Sequence, residues 1–469
     1  MTRQGLLVGA ALAAFATSFA AGTAHAQDAL RPNSAPAPET QPAAQPPMQP
    51  IANCPVPSGP CITASTRWNG ATETREEDRR FHVNGRFMYD IAYTDADYAN
   101  AAGTGTFESG VRSYARRAFL GVDGRLSEQW RYNVKFDFTF GNGAGSTPGP
   151  SAPGANQAVQ IKADDLYLEY AVTADSSIIV GVTNSVSPLE DRDSSLTTPF
   201  NERSFLIGAG GFGKRPGVTY TMNGGNWSWG IGLQSNDGPD KADSAALGSE
   251  SGFLISRGTY APVYERTPEG LNLVAFGATV RYRDGGNAAG GGKTGLSYSP
   301  GALSNKASNN AGTTTFGQDM YYGGEFVFQH NAFGAQAEYG QFQTGRGINA
   351  TATGYYVDLY FSPTGESRNY NAADGSFKSV VPLRTFGSDD GIGHVLLSAR
   401  YESLDLSDPL FGANRNTTSG WTGGVTLVPI DHVKFQLNVS RSNIDYTVNN
   451  STHKDNQINA VTFRSQFDW

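Results

Sequence analysis

The stretch Val461-Thr462-Phe463-Arg464-Ser465-Gln466-Phe467-Asp468-Trp469 decides the fold. Counting back in twos from Trp469 gives Phe467, Ser465, Phe463 and Val461. The other parity gives Asp468, Gln466, Arg464 and Thr462. A period of two with one polar side is a β-strand that is wet on one face. The dry face here carries aromatic rings, whereas a soluble sandwich would bury aliphatic side chains. In a membrane barrel the outer face meets lipid and aromatic girdles while the lumen stays polar.

The same alternation recurs upstream. Tyr132, Val134, Phe136, Phe138 and Phe140 alternate with Arg131, Asn133, Lys135, Asp137 and Thr139. Val274, Phe276, Ala278, Val280 and Tyr282 alternate with a set that includes Thr279, Arg281 and Arg283. Val433, Phe435, Leu437 and Val439 alternate with Lys434, Gln436, Asn438 and Ser440. Sixteen strands follow, near 80–95, 110–124, 129–141, 160–172, 176–184, 214–223, 226–236, 252–264, 270–284, 318–330, 332–343, 351–364, 391–405, 417–429, 432–445 and 457–469. Odd-to-even gaps such as 96–109, 142–159, 185–213, 237–251 and 285–317 are long. Even-to-odd gaps such as 125–128, 173–175, 224–225, 331 and 430–431 are short, as expected of external loops and periplasmic turns. The gap 365–390 breaks that rule. The expected fold is therefore all-β, a transmembrane antiparallel barrel of about 16 strands. Sixteen strands leave an aqueous channel, and loop 185–213 is the candidate to fold inward and narrow it.

Composition agrees. Charged residues are 17% of the 469, against roughly 25% in soluble domains, and aromatics are 11%. Past residue 26 no apolar run approaches the ~18 residues of a spanning helix. Residues 1–26 read as a secretory signal peptide: Arg3, an apolar stretch from Leu6 to Ala21, and an Ala24-His25-Ala26 cleavage site. Losing Arg3 takes the net charge from −8 to about −9, which disfavours nucleic-acid partners. Residues 27–79 read as a periplasmic linker rich in Pro, Ala and Gln, with 80–469 as the barrel. The only cysteines, Cys54 and Cys61, lie in the linker and suit a small disulfide loop in an exported protein.

Rival chemistry finds little footing. Gly208-Ala209-Gly210-Gly211-Phe212-Gly213 matches G-x-G-x-x-G, but it closes a loop before a strand rather than opening a helix. The six histidines show no metal-ligand spacing, and no G-x-S-x-G elbow is present. Asp164-Asp165 and Asp389-Asp390 are adjacent carboxylates of the kind calcium takes, but solvated loop or rim charge is the better explanation of both. No cofactor and no enzymatic activity are expected.

A last strand ending in Phe467 and Trp469 resembles the C-terminal strand of bacterial outer-membrane barrels, which implies reading by the barrel assembly machinery. Further stretches resemble the phosphate- and pyrophosphate-selective porin family: Tyr114-Ala115-Arg116-Arg117-Ala118-Phe119-Leu120-Gly121, Leu189-Glu190 with Ser194-Ser195, and Asn201-Glu202-Arg203. Others are Ala335-Gln336-Ala337-Glu338-Tyr339, Thr364-Gly365-Glu366 with Arg368 and Tyr370, and Gly420-Trp421-Thr422-Gly423-Gly424-Val425. The resemblance covers about residues 80–469. It implies a sixteen-stranded homotrimeric barrel among outer-membrane lipids, and a long periplasmic turn that accounts for 365–390.

The resemblance also implies an anion pathway for small hydrophilic solutes or inorganic anions such as phosphate. Arg116 and Arg117 match the constriction pair, Arg131 a channel-lining position, and Asp164 an acidic residue of the central site, with Asp165 beside it. After Leu189-Glu190 the phosphate-selective members carry a lysine; this chain has Asp191, then Arg192. A carboxylate there would oppose an anion, so a general or cation-preferring porin is the alternative. Arg192 and Arg203 complete the candidate set. From a regular strand only one of Arg116 and Arg117 can face the lumen; both can do so at a bulge or strand end.

Overall fold

In hydrocarbon every backbone N–H and C=O needs a partner, so a sheet that crosses a membrane must close on itself. The computed structural model of the chain shows such a closure. It describes residues 73–76, 79–97, 109–138, 161–236, 251–285, 294–298, 300, 311–312, 316–388, 390–448 and 451–469. The leader, Cys54, Cys61 and most of the 142–159, 237–251 and 285–317 loops lie outside the described residues.

Sixteen antiparallel strands form the wall. They are β1 (Arg79–Asp97), β2 (Gly110–Arg125), β3 (Trp130–Asp137), β4 (Lys162–Thr173), β5 (Ser176–Thr183), β6 (Arg215–Asn223), β7 (Trp227–Ser235) and β8 (Gly252–Thr267). The second half comprises β9 (Gly270–Asp284), β10 (Gln318–His330), β11 (Phe333–Gly345), β12 (Thr351–Phe361), β13 (His394–Leu406), β14 (Asn416–Val428), β15 (Val433–Val448) and β16 (Ser451–Asp468). Each strand pairs with its sequence neighbour, and β16 returns to β1, with Asp468 opposite Arg86 and Gln457 opposite Asp97. A further four-residue strand, Glu73–Glu76, pairs with the start of β1. It lies in the span read as linker.

Strand parity matches the sequence pattern. Thr462, Arg464 and Gln466 are buried on the inside, while Phe467 is exposed on the outside. On β9, Thr279, Arg281 and Arg283 are buried inside, and Phe276, Val280 and Tyr282 are exposed outside. The boundaries moved in a few places. β12 stops at Phe361, two residues before Pro363, which has no N–H for a ladder. β13 starts at His394, just after Gly393 at φ +86°. β16 begins six residues earlier than the alternation indicates and pairs with β15 out to Val448↔Ser451.

The seam between β1 and β16 is held by charge and by close approach. Arg464 Nε and Nη2 each reach a carboxylate oxygen of Asp90 at 2.7 Å. Gly85 and Trp469 exchange backbone hydrogen bonds at 3.1 Å. A Cβ on Gly85 would stand 2.1 Å from the Trp469 ring, so the seam admits only glycine there. The Trp469 ring in turn stacks on Phe467 with centroids 5.8 Å apart. Gly85→Val should therefore strain closure by about 1–3 kcal/mol. The expected readout is a smaller heat-modifiable fraction on gels after refolding into detergent, with recovery when Trp469→Ala is added. Wild-type yield from the single variant would contradict the packing.

Candidate functional site

Loop 184–214 lies inside the barrel. It bonds at once to Arg86 and Arg116 on one wall and to Glu325 and Glu338 on the opposite wall. Only a segment within the lumen can reach both. Its backbone then needs partners away from bulk water, and inward-facing wall side chains supply them. Glu325 and Glu338 carboxylates both accept from Leu189 N, at 3.0 and 2.7 Å, and Glu338 accepts from Glu190 N at 3.2 Å. Glu402 accepts from Phe205 N at 2.7 Å, and Asn438 from Asn201 N at 2.6 Å. Lys434 Nζ donates to the carbonyls of Ser195 and Leu196 at 2.8 and 3.0 Å, and Gln436 to Thr198 O at 2.8 Å. The Glu190 carboxylate accepts from Ser204 N at 2.8 Å and meets Arg400 at 2.6 Å, which also holds Asp358.

Two short helices in the loop face this gripping wall: α1 (Leu189–Arg192) and α2 (Phe205–Gly210). Phe205, Leu206 and Ile207 of α2 pack with Tyr298, Phe316, Tyr321, Phe342, Tyr356, Leu404 and Phe411 into an apolar core inside the barrel. The long turn 362–393 enters from the other end. Its hairpin, Asn369–Asn371 paired with Ser376–Lys378, packs Tyr370 and Phe377 against Leu189, Leu271, Leu273 and Val327. Gly375, at φ +62°, leaves no room for a Cβ beside Thr259. These side chains fill the lumen over β8–β13, whereas Arg86, Arg117 and Lys135 on the opposite wall stay half-buried.

The Arg116-Arg117 and Asp164-Asp165 pairs both reach the lumen on that opposite wall through bulges. On β2 the register passes from Met88↔Arg117 to Tyr89↔Ala115, so Arg116 is the extra residue. On β4 it passes from Lys135↔Asp165 to Phe136↔Ala163, and Asp164 is the extra residue. A bulge redirects the side chain it inserts, which places Arg116 with Arg117, and Asp164 with Asp165, on the lumen face. Arg116 makes a two-pronged contact with Glu202 of the loop at 2.7 and 3.0 Å. Asp164 lies 2.7 Å from Lys214 and 3.2 Å from Lys135; Asp165 meets Lys135 and sits 2.8 Å from Lys214.

The other candidate residues separate. The Asp191 carboxylate turns into the loop, accepting from Gly213 N at 2.9 Å and pairing with Arg203 at 3.2 Å, and its side chain is 3% exposed. It does not stand free in the lumen, as the sequence comparison led one to expect. Arg203 keeps 35% of its side chain exposed and acts on Arg117 electrostatically together with Arg86, Arg116 and Asp164. Arg131 is buried beside Glu169, 3.7 Å away on the neighbouring strand, at the short-turn end. Arg192 points away to the hairpin, donating to Asp374 O at 2.8 Å.

The structure adds residues that motif reading missed. Arg86 donates to Ser195 Oγ at 2.6 Å and Ser194 Oγ at 3.2 Å. The Phe119 ring has Arg86, Arg117 and Lys135 around it at 5.5, 5.6 and 5.6 Å, distances at which a ring face attracts cations. Lys434 lies near Arg86, Arg117 and Arg464. Among the described residues, Arg86, Arg117 and Lys434 form no ion pair, whereas Asp164, Asp165, Asp191 and Glu202 are all paired. Parity could have found Lys135 and Lys434, because both sit on polar strand faces.

The family model for phosphate-selective porin O and P matches residues 81–469. The chain belongs to the phosphate-selective porin O and P family. An uncharacterized protein of Caulobacter vibrioides is 26% identical over 457 residues, covering 92% of this chain and 84% of that one. Porin O of Pseudomonas aeruginosa is 24% identical over 428 residues, covering 85% of this chain and 90% of its own. Among solved structures, OmpT of Vibrio cholerae superposes with a TM-score of 0.50 at 9% identity, over 85% of this chain and 100% of that one. OprB of Pseudomonas putida gives 0.50 at 9% identity, over 83% and 94%. Such distant likeness supports the barrel fold alone. Family and fold together make the protein an outer-membrane channel rather than an enzyme.

One loop group carries a pH signature. Asp193 accepts from Phe377 N at 2.9 Å and lies 3.9 Å from Arg368. Burial pushes its carboxyl from the usual 3.8 up to about 6, against the pull of Arg368. The folded state thus holds this proton more tightly than the unfolded chain does. The resulting stabilisation is full below pH 3.8 and is lost as pH rises through 6. Thermal unfolding followed by circular dichroism should show a midpoint that falls over that window, with a shallower fall in Asp193→Asn. An unchanged slope in the variant would contradict the assignment.

Proposed function

We propose that this porin is a homotrimer whose passage favours small inorganic anions over cations. The observation that carries the reading is the set Arg86, Arg117 and Lys434, which form no ion pair among the described residues and lie by the hydroxyls of Ser194 and Ser195 or the loop carbonyl beside them. An anion entering a constriction gives up part of its water shell, and charge-assisted donors replace it. Several moderate donors in a row suit conduction better than one deep site, because the ion must also leave. The family's name points to phosphate, and phosphate is included here as one small oxyanion among others. Position 191 holds no lysine, and Lys434, whose ammonium donates to the Ser195, Leu196 and Thr198 carbonyls, adds positive field beside the same loop rather than a donor to the ion. Asp191, spent on Arg203 and Gly213, opposes the anion less than an open carboxylate would. Trimeric assembly is supported by the family resemblance, and OmpT of Vibrio cholerae has been solved in a trimer form.

Reversal potentials across a potassium chloride gradient in planar bilayers test the reading. The expected sign is anion preference. Arg117→Gln should move it toward cations, and Glu202→Gln, which removes the carboxylate charge facing Arg116, should move it further toward anions. Cation preference in the wild type would overturn the proposal in favour of a cation-preferring pore.

A further inference from the structure

On the far side of loop 184–214 from the Arg117 group lies a recess at the short-turn half of the lumen. It is bordered by Ser185 and Arg192 of the loop, Thr221 and Asn223 of β6, Ser228 of β7, and Asp374 of the inward hairpin. Arg192 is half-buried there, and its guanidinium is oriented by backbone oxygens. Nε donates to Asp374 O at 2.8 Å, and Nη1 donates to Ser185 O. Neither is a carboxylate. The Asp374 carboxylate is taken instead by Lys378 and by Ser376 Oγ at 2.8 Å. Arg257, which also borders the recess, is neutralised by Glu325 at 2.7 Å. The charge of Arg192 is therefore held in place but not compensated by an ion pair among the described residues. The Ser185 hydroxyl beside it is buried without a hydrogen-bond partner among the described residues.

We infer that this recess is a second anion station, on the periplasmic side of the constriction. It would receive a small oxyanion or a small carboxylate on the outward edge of the Arg192 guanidinium. The hydroxyls of Thr221 and Ser228 and the Asn223 amide lie within the same recess to complete a hydration-like shell. A passing anion would then meet two fixed cationic sites in series, one on each face of a single loop. Two stations let repulsion from an entering ion speed the release of the one ahead. The inference rests on the anion reading above, since in a cation-preferring pore the recess would have no anion to receive.

The test uses the full-length porin in planar bilayers, with inorganic phosphate titrated against chloride current from each side in turn. Phosphate should block from both sides in the wild type. In Arg192→Gln the half-blocking concentration from the periplasmic side should rise roughly ten- to a hundredfold, the order of one charge-assisted hydrogen bond. Block from the external side should stay near wild type, and Arg192→Lys should recover much of the loss. Anion-preferring reversal potentials with no phosphate block, or with periplasmic block unmoved in Arg192→Gln, would overturn the second station alone. Cation-preferring reversal potentials would instead overturn the anion reading beneath it.

Discussion

A loop that enters a barrel brings its backbone polar groups out of bulk water, and each needs a partner. That constraint organises the interior of this porin. The wall meets it with Glu325, Glu338, Glu402, Asn438, Lys434 and Gln436, each bonded to main-chain atoms between Leu189 and Phe205. Hydrogen bonds to charged groups contribute more than neutral ones, about 1.5–3 kcal/mol each. A row of them therefore fixes the loop firmly enough to define a constriction. The apolar side of α2 then fills the space over β8–β13 with Phe205, Leu206 and Ile207. The passage is displaced to the opposite side, and its lining is whatever the remaining strands present.

The charge balance of that lining follows from local backbone irregularity. Two bulges turn adjacent residues to one face, so a cation pair and a carboxylate pair both reach the lumen where a regular strand would offer one of each. The carboxylates meet cations within the wall and loop. The cations outnumber them, and the surplus lies on Arg86, Arg117 and Lys434. Net charge of the chain, which is negative at −8, therefore says little about the field inside.

Much of the fold was legible because period-two alternation reports which face meets lipid. Val461–Trp469 and Val433–Val439 each divide cleanly, and the observed wall follows them. The inward loop was legible from its acidic, basic and Gly-rich stretches, and the exceptional turn from its resemblance to the family. The site was less so. Asp191 was read by position as a lumen carboxylate, but position does not reveal that Gly213 N and Arg203 turn it inward. Arg192 was placed beside it in sequence, yet the helical turn of α1 sends the two side chains to opposite faces of the loop. Arg86 carried no motif; only the closure of β1 on β16 and the return of Ser194-Ser195 bring it to the passage.

The central claim is that the wall-held loop divides the lumen into a filled side and a cation-lined passage. Thiol accessibility tests it most directly, in a background where Cys54 and Cys61 are serine. With Ser195→Cys, an anionic thiosulfonate should react faster than a cationic one of equal size and reduce the current. With Leu206→Cys, which faces the apolar core, neither should react on that timescale. Equal reactivity at the two positions, or faster reaction of the cationic reagent at position 195, would contradict the account.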